Sequence, residues 1–525
     1  MDQLAFRQVH LDFHTSEAIP GVGQHWDKAH FQAMLQRGHV NSITVFSKCH
    51  HGWSYHPTDV PLSQMHPTLT FDLLGAMIEA AHEIGVKTPV YLSAGLDEKL
   101  FATHSHWLRH LPNGNPTWAS WMDAGYHEFC MRSPYLEYLV AQTAEATRRY
   151  DADGIFLDIV GVRDCVCQYC VAEMRKRGWD PRDAAARHEL GRETYLHYAR
   201  SINDAIHAIK PGMRVFHNGG HIVRGDRELA ELHTHLELES LPTGGWGYDH
   251  FPLSARYVQG LGREFLGMTG KFHTSWGEFG GYKHPNALRY EAALSLANGA
   301  KISVGDQMHP FGQLDAATYA LLGTAYAEVE AKEPWCCGVH SVADIGVLSL
   351  EAVVGNQPTN GPSAKTGLVD AGVVRVLQEG HLLYDVLDME ADFTRYAVLI
   401  LPDAIPVHGK LLDKLTAYRA QGGKLFVTGS SALDAERGAF VLDLGVSYDG
   451  VSAFSPEYLV PRFPLDAWES AAFVVYAPAQ CITATHGTVL VDRQDPFFNR
   501  DYLHFCSHQH APNTETVAGP AMVQT

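Results

Sequence analysis

No uninterrupted apolar run reaches the roughly 18 residues that a bilayer-spanning helix needs, so no membrane span is expected. The first residues, Met1-Asp2-Gln3-Leu4-Ala5-Phe6-Arg7, show no basic stretch leading into an apolar core, so no secretory signal is expected. Low-complexity tracts, heptads and short repeats are missing, which argues against a disordered tail or a repetitive scaffold. Basic charge is scarce: 40 Lys and Arg stand against 59 Asp and Glu, a net −19. Such a surface repels phosphate backbones and anionic lipid, disfavouring nucleic-acid and membrane-surface roles and suiting a neutral or cationic substrate. Cysteine is scarce too, nine in all, but three crowd at 165, 167 and 170. An odd number with that spacing fits a metal site in a reducing compartment better than a disulfide framework, and the expected address is the cytoplasm.

What is present is an ordinary globular mixture, 46 % hydrophobic and 19 % charged. A chain of 525 residues exceeds one domain, and the pattern changes near residue 339, dividing it into 1–338 and 339–525. In the first part, apolar runs at 7–13, 42–46, 88–92, 154–159, 214–217, 234–241, 265–273 and 301–304 read as strands. Stretches such as 71–84, 135–149, 189–209 and 285–297 read as the helices between them. Eight strands with helical crossovers predict an α/β fold, a (β/α)8 TIM barrel with long loops. An open doubly wound sheet is the alternative, but it wants a Gly-rich phosphate loop after its first strand, and none is there.

The strand ends are polar, aromatic or histidine-rich. They read Asp12-Phe13-His14, Cys49-His50-His51-Gly52-Trp53, Asp158, His217-Asn218, Glu239, Trp276-Gly277-Glu278 and Asp306-Gln307-Met308-His309. A barrel gathers such ends on one face, where active sites form. Many of the 32 histidines lie there. In the second part, 343–350, 396–402 and 424–429 read as buried parallel strands, with helices at 368–387 and 409–421, a small flavodoxin-like sheet. A glutaminase of that layout would carry a nucleophilic cysteine at its elbow. Here the elbow reads Val427-Thr428-Gly429-Ser430-Ser431, so self-association is the expected use. Beyond about residue 450 the pattern is irregular, and Thr525 is reached without a clear closing element.

Two families of glycosidases resemble this chain. Ser47-Lys48-Cys49-His50-His51-Gly52-Trp53-Ser54 resembles the Lys-His-His-Asp-Gly-Phe segment of family 29 α-L-fucosidases, although Cys49 intrudes and Gly52 follows His51 directly. Gly154-Ile155-Phe156-Leu157-Asp158 looks like the segment carrying that family's nucleophilic Asp, and Ser275-Trp276-Gly277 is similar to its later Ser-Trp-Gly. Cys165-Val166-Cys167-Gln168-Tyr169-Cys170 looks like the zinc cluster of family 42 β-galactosidases, with Cys130-Met131-Arg132-Ser133-Pro134 supplying the fourth thiolate. Leu399-Ile400-Leu401-Pro402-Asp403 lies in a part resembling their trimerisation domain. Family 42 has Asn-Glu where this chain has Asp158-Ile159. The combination is identified as glycoside hydrolase family 151, a group of α-L-fucosidases.

That resemblance implies a retaining, exo-acting α-L-fucosidase on a small glycoside, with no organic cofactor, a structural zinc on Cys130, Cys165, Cys167 and Cys170, and a homo-oligomer, trimer or dimer. Retaining hydrolysis needs two carboxyl groups about 5 Å apart. Asp158 is the expected nucleophile. Glu237 and Glu239 share one face of the sixth strand, and Glu239, nearer its end and followed by Pro242-Thr243-Gly244-Gly245-Trp246-Gly247-Tyr248, is the favoured acid/base; Glu278 competes with it. His10, His14, His50, His51 and His273 offer hydrogen bonds to sugar hydroxyls, and Trp53, Trp246 and Trp276 offer flat faces to sugar C–H groups. Asp12 stands beside these histidines; Asp306 and His309 complete the pocket or lock their own loop. A family-42-like β-galactosidase would instead use Asp158 as acid/base and Glu278 as nucleophile. From other classes, a silent sugar-binding barrel and a metal-dependent amidohydrolase stay open, the latter because His10-x-Asp12-x-His14 lines three ligands on one strand with Asp306 available on the eighth.

Overall fold

Burial runs almost unbroken through each strand of the first unit, polar residues included, as expected of parallel strands covered by helices on their outer face. The computed structural model describes residues 3–355, 365–465 and 471–525, in two units, Met1–Ser341 and Val342–Thr525. The strands of the first unit are β1 (Arg7–Asp12), β2 (Ser42–Lys48), β3 (Pro89–Ser93), β4 (Gly154–Asp158), β5 (Arg214–Asn218), β6 (Leu236–Glu239), β7 (Phe265–Gly270) and β8 (Lys301–Gln307). They lie parallel in the order β5-β4-β3-β2-β1-β8-β7-β6, a nearly closed barrel. Helices α1 (Lys28–Arg37), α2 (Leu73–His82), α3 (Tyr135–Arg149), α4 (Gln168–Lys176), α5 (Ala184–Ile209), α6 (His250–Val258), α7 (Pro285–Ala297) and α8 (Ala316–Cys336) fill the crossovers. Asp27, Asp72, Asp183 and Asp315 each turn a carboxylate onto the free N–H groups of the helix that follows. No helix among the described residues is long and apolar enough to cross a membrane.

The barrel is unzipped at one junction. No backbone ladder joins β5 to β6. The segment ahead of β6 closes the gap with side chains. Val215 N–H donates to Thr234 Oγ1 at 2.8 Å, and His217 N–H donates to His233 Nδ1 at 3.1 Å. Thr234 N–H returns to Val215 O at 3.0 Å. A strand that cannot pair with its neighbour's backbone must satisfy its N–H groups in this way, because burying them bare is costly.

The second unit opens with a parallel sheet of β9 (Ile345–Leu348), β10 (Tyr384–Leu387), β11 (Val398–Leu401) and β12 (Lys424–Val427), in the flavodoxin-like order β10-β9-β11-β12. The helix expected over 368–387 covers too much. It spans Lys365–Glu379, ends where Gly380 N–H closes on Val376 O and His381 takes φ 54°, and gives way to β10. Among the described residues past 450, the regular structure is all β. An antiparallel sheet joins Phe473–Val475, Glu457–Pro461, Thr488–Pro496 and Asn513–Gln524, and Val446–Val451 pairs with Gln480–Ala484. Several register shifts interrupt the ladder between Thr488–Pro496 and Asn513–Gln524.

Thr234→Val keeps volume but removes the acceptor for Val215 N–H. It is expected to destabilise the first unit by about 1–3 kcal/mol, the cost of a buried donor without a partner. Chemical denaturation followed by tryptophan fluorescence would measure it, and an unchanged midpoint would show that the side-chain closure is dispensable.

Candidate active site

Residues that pair in register on neighbouring parallel strands point to the same side of the sheet. Asp158 at the end of β4 is in register with Asn218 at the end of β5 and with Ser93 at the end of β3. Asp158 Oδ2 accepts the Tyr91 hydroxyl at 2.6 Å. Its Oδ1 accepts Ile159 N–H at 2.9 Å and Asn218 Nδ2–H at 2.8 Å. The same Asn218 nitrogen donates to Glu239 Oε2 at 3.0 Å. Two carboxyl groups from β4 and β6 therefore share one amide, which limits the separation of the bonded oxygens to about 6 Å.

Burial raises Asp158 above the usual carboxylate range, against the pull of Tyr91, His10 and Asn218. It pushes Glu239 up to about 7, with the charge of Asp158 adding to the effect. Glu239 is thus suited to hold a proton near neutral pH.

The backbone beside Asp158 is strained. Ile159 takes φ 58°, a conformation that a β-branched residue rarely adopts. Asp158 O accepts both Ala94 and Gly95 N–H at 3.0 Å, and the close pass requires Gly95, because a Cβ there would lie 1.9 Å from Ile159 O. Such strain persists where the surroundings over-determine it and is common at active sites.

Histidines and aromatic rings form the rest of the mouth. The His10 ring meets Phe46, Tyr91, Phe156 and Trp276 edge-on, and its Nε2 lies 3.4 Å from Asp12 Oδ1. Burial opposes a charge on His10, but Asp12, Asp158 and Glu237 outweigh it and raise its pKa. His14 and His50 stack at 3.9 Å, and His50 N–H donates to His14 Nδ1. His50 Nδ1 bonds Ser93 Oγ at 2.7 Å, while its Nε2 stands 3.8 Å from Asp158 Oδ2. Burial lowers both rings, His50 to about 3, so both are neutral at physiological pH. His51 Nε2 meets the Tyr126 hydroxyl at 3.1 Å. Trp276 donates its indole N–H to Asp12 Oδ2. Its ring occupies the space where a side chain at Gly305 would stand. Behind this loop, buried Lys48 Nζ donates to Asp97 Oδ2 at 3.2 Å and to Tyr135 at 3.0 Å, and Asp97 closes against Gly52.

Several expected residues lie elsewhere. β7 ends at Gly270, so His273 and Glu278 fall in an outer loop. There Glu278 accepts Thr274 N–H at 2.6 Å and Thr274 Oγ1–H at 3.0 Å, and His273 is exposed. Asp306 is in register with Leu11, so the alternation of β8 turns it outward while Gly305 aligns with His10. Burial pushes its carboxyl up to about 6, with Lys271 opposing. His309 is exposed and accepts Phe311 N–H, locking its own loop. Trp246 is half-buried in the turn after β6, with its N–H on Leu241 O, and takes no part in the ring contacts of the mouth among the described residues. Trp53 is held at the rim, its indole N–H on Glu17 Oε2 at 3.2 Å. Glu237 lies deeper in the barrel than Glu239, bonded to His235 Nε2 at 3.1 Å and Gln8 Nε2 at 3.4 Å. Sequence reasoning missed Tyr91, Asn218, Ser93 and Tyr126. The clue for Asn218 was its place at a strand end beside Asp158.

The four cysteines 130, 165, 167 and 170 are buried, with their sulfurs within 4.8 Å of one another. Cys130 and Cys170 sulfurs are 3.6 Å apart, near the edge of about 3.8 Å that a tetrahedral site with 2.3 Å bonds would have. Arg132 N–H and Cys167 N–H point at sulfurs, as donors to thiolates do. These residues fit a thiolate-bound metal. Among the described residues no other group of His, Cys, Asp and Glu gathers donor atoms this closely.

Glu239 ionises less readily folded than unfolded. Its contribution to stability is full below its ordinary value near 4.5 and is lost as pH rises through about 7. Glu239→Gln is therefore expected to unfold at a higher temperature than the natural chain at pH 8, by the equivalent of roughly 1–3 kcal/mol, with the gap closing below pH 4.5. Thermal unfolding at the two pH values would measure it; a lower midpoint at pH 8 would contradict a buried, proton-holding Glu239.

Comparison with known proteins bears on the family and the fold. Residues 27–159 match the family described as hypothetical glycosyl hydrolase 6, and residues 375–447 match the beta-galactosidase trimerisation domain. No curated protein sequence matches. Among solved structures, alpha-L-fucosidase isoenzyme 2 from Paenibacillus thiaminolyticus is 53% identical over 99% of this chain and 79% of its own, with TM-score 0.96. The beta-galactosidases from Bacillus circulans sp. alkalophilus and Rahnella sp. R3 share the fold at 16% and 15% identity. They cover 91% and 94% of this chain and 81% and 83% of their own, with TM-scores 0.68 and 0.69. The chain belongs to the family of the Paenibacillus enzyme, glycosyl hydrolases of the family 151 type.

Proposed function

We propose that the chain is an exo-acting, retaining α-L-fucosidase, with Asp158 as nucleophile and Glu239 as acid/base. The observation that carries the chemistry is the pair of buried carboxyl groups bonded to one amide, Glu239 near pKa 7. The shared nitrogen keeps the bonded oxygens within about 6 Å, below the 6.5–9.5 Å that leaves room for an inverting water, which supports retention. The relative named an α-L-fucosidase supports the sugar.

Asp158 attacks the anomeric carbon; a C–O bond to its carboxylate forms as the glycosidic C–O bond breaks. Glu239 gives its proton to the departing oxygen. Glu239, now ionised, then takes a proton from water as the water oxygen bonds to the anomeric carbon. The bond to Asp158 breaks and the carboxylate is regenerated. Tyr91 and Asn218 hold Asp158 in place. Neutral His14, His50 and His51, with His10 and Asp12, present directional partners to sugar hydroxyls. Trp276 supplies an apolar face for the pyranose C–H groups and methyl, with the buried rings of Phe46, Tyr91 and Phe156 packed behind it around His10. The family-42-like assignment, with Glu278 as nucleophile, is disfavoured because that carboxylate is engaged by Thr274.

Asp158→Gly on a nitrophenyl α-L-fucoside is expected to lose turnover by several orders of magnitude. External azide should restore it and give a fucosyl azide of inverted configuration. Near-normal activity, or an azide product of retained configuration, would show that Asp158 is not the nucleophile.

The cysteine cluster is read as a structural zinc site that ties the loop after β4, and the second unit as an oligomerisation module. One zinc per chain should survive dialysis, and Cys167→Ser should lose it and lower the unfolding temperature. Elemental analysis finding no zinc in the natural protein would remove that reading.

A further inference from the structure

We propose that Asn218 is a positioning residue that sets the spacing of the two carboxyl groups across the open junction of the barrel. The inference rests on the assignment of Asp158 and Glu239 given above. Asp158 and Asn218 are fixed to each other by the β4–β5 ladder. Glu239 is not, since β5 and β6 share no ladder, and the ties from Thr234 and His233 lie at the far end of β6. At the catalytic end of this junction, the bond from Asn218 to Glu239 bridges the two strands.

The amide is also locked in orientation. Asn218 Oδ1 accepts Gly220 N–H at 3.0 Å, so the nitrogen faces the carboxyl groups and its two hydrogens serve one each. Asn218 O accepts Val160 N–H at 3.0 Å, and Gly219 lies so near Val160 O that a Cβ there would come within 2.8 Å. The strained segment after Asp158 thereby holds the backbone that carries the amide. A donor that cannot turn over cannot follow a proton between the two acids. It favours the ionised form of each, and does so most where the second charge is absent. The other groups facing the pair are Tyr91 on β3, His10 and Asp12 on β1, His50 after β2 and Tyr198 on α5.

Removing the amide takes one donor from Asp158 and frees Glu239 to move. On a nitrophenyl α-L-fucoside, Asn218→Ala is expected to lower kcat about a hundredfold with KM changed far less, the effect of misplacing a reacting group by about 1 Å. The acidic limb of kcat/KM, which reports ionisation of Asp158 in the free enzyme, should move upward by about half a pH unit or more. Asn218→Ser, which keeps one donor but cannot span both oxygens, should show the same kcat loss with a smaller shift of the limb. Unmoved limbs in a folded variant, or a loss confined to KM, would overturn the proposal. If neither variant keeps the near-UV circular dichroism of the natural chain, Asn218 is a folding contact and the proposal also falls. Asp158→Gly with azide, run alongside, separates this from the assignment beneath it. An inverted azide product with unmoved limbs in Asn218→Ala sinks only the role of Asn218, whereas a retained product sinks the assignment itself.

Discussion

Two carboxyl groups held on one amide nitrogen in a buried pocket cannot both be charged without large cost, because each raises the energy of the other's anion and water is too distant to screen them. The pair settles into one anion and one acid, and much of the mouth serves that division. Tyr91 and the Ile159 N–H add donors to Asp158 that Glu239 lacks. Burial and the charge of Asp158 bring Glu239 to about 7. The proposed nucleophile and proton donor are thus two residues of nearly the same intrinsic acidity in different surroundings.

The barrel makes this placement possible and also leaves it exposed to error. Parallel register brings Asp158, Asn218 and Ser93 to one level, and the inward alternation of β1 adds His10 and Asp12. Between β5 and β6 the ladder is absent and side chains substitute for it. The neutral, stacked His14 and His50 follow from the same burial that perturbs the acids: two rings 3.9 Å apart in a low-dielectric pocket resist taking on positive charge. They can still donate from one nitrogen and accept at the other, which suits hydroxyl recognition.

The barrel itself was legible because eight strongly apolar segments alternate with helical ones, and their bounds are met to within a few residues. The strand-end positions of Asp158 and Glu239 were legible, Asp158 because it closes an apolar strand and Glu239 because it is the last of two alternating carboxylates on β6. Glu278 was misleading. Trp276-Gly277-Glu278 reads as a strand end, yet β7 stops at Gly270 and Gly277 at φ 76° turns the chain in an outer loop. Asp306 was misread by a single step of alternation, which in a strand moves a side chain to the opposite face. Tyr91 and Asn218 were invisible as partners, since their roles depend on which strands neighbour and in what register. The β-rich end escaped notice for another reason: Val446–Val451 alternates only between half-buried and exposed, and bulges interrupt the ladder of Thr488–Pro496.

The central claim is that Asp158 forms a covalent bond to the sugar, and trapping that bond tests it most directly. A 2-deoxy-2-fluoro-L-fucosyl fluoride has a destabilised oxocarbenium-like transition state but a good leaving group, so the glycosyl-enzyme should accumulate. After proteolysis, mass spectrometry is expected to find one fluorofucosyl group per chain, attached to Asp158. Attachment to Glu239 or Glu278, or inactivation without any adduct, would contradict the account.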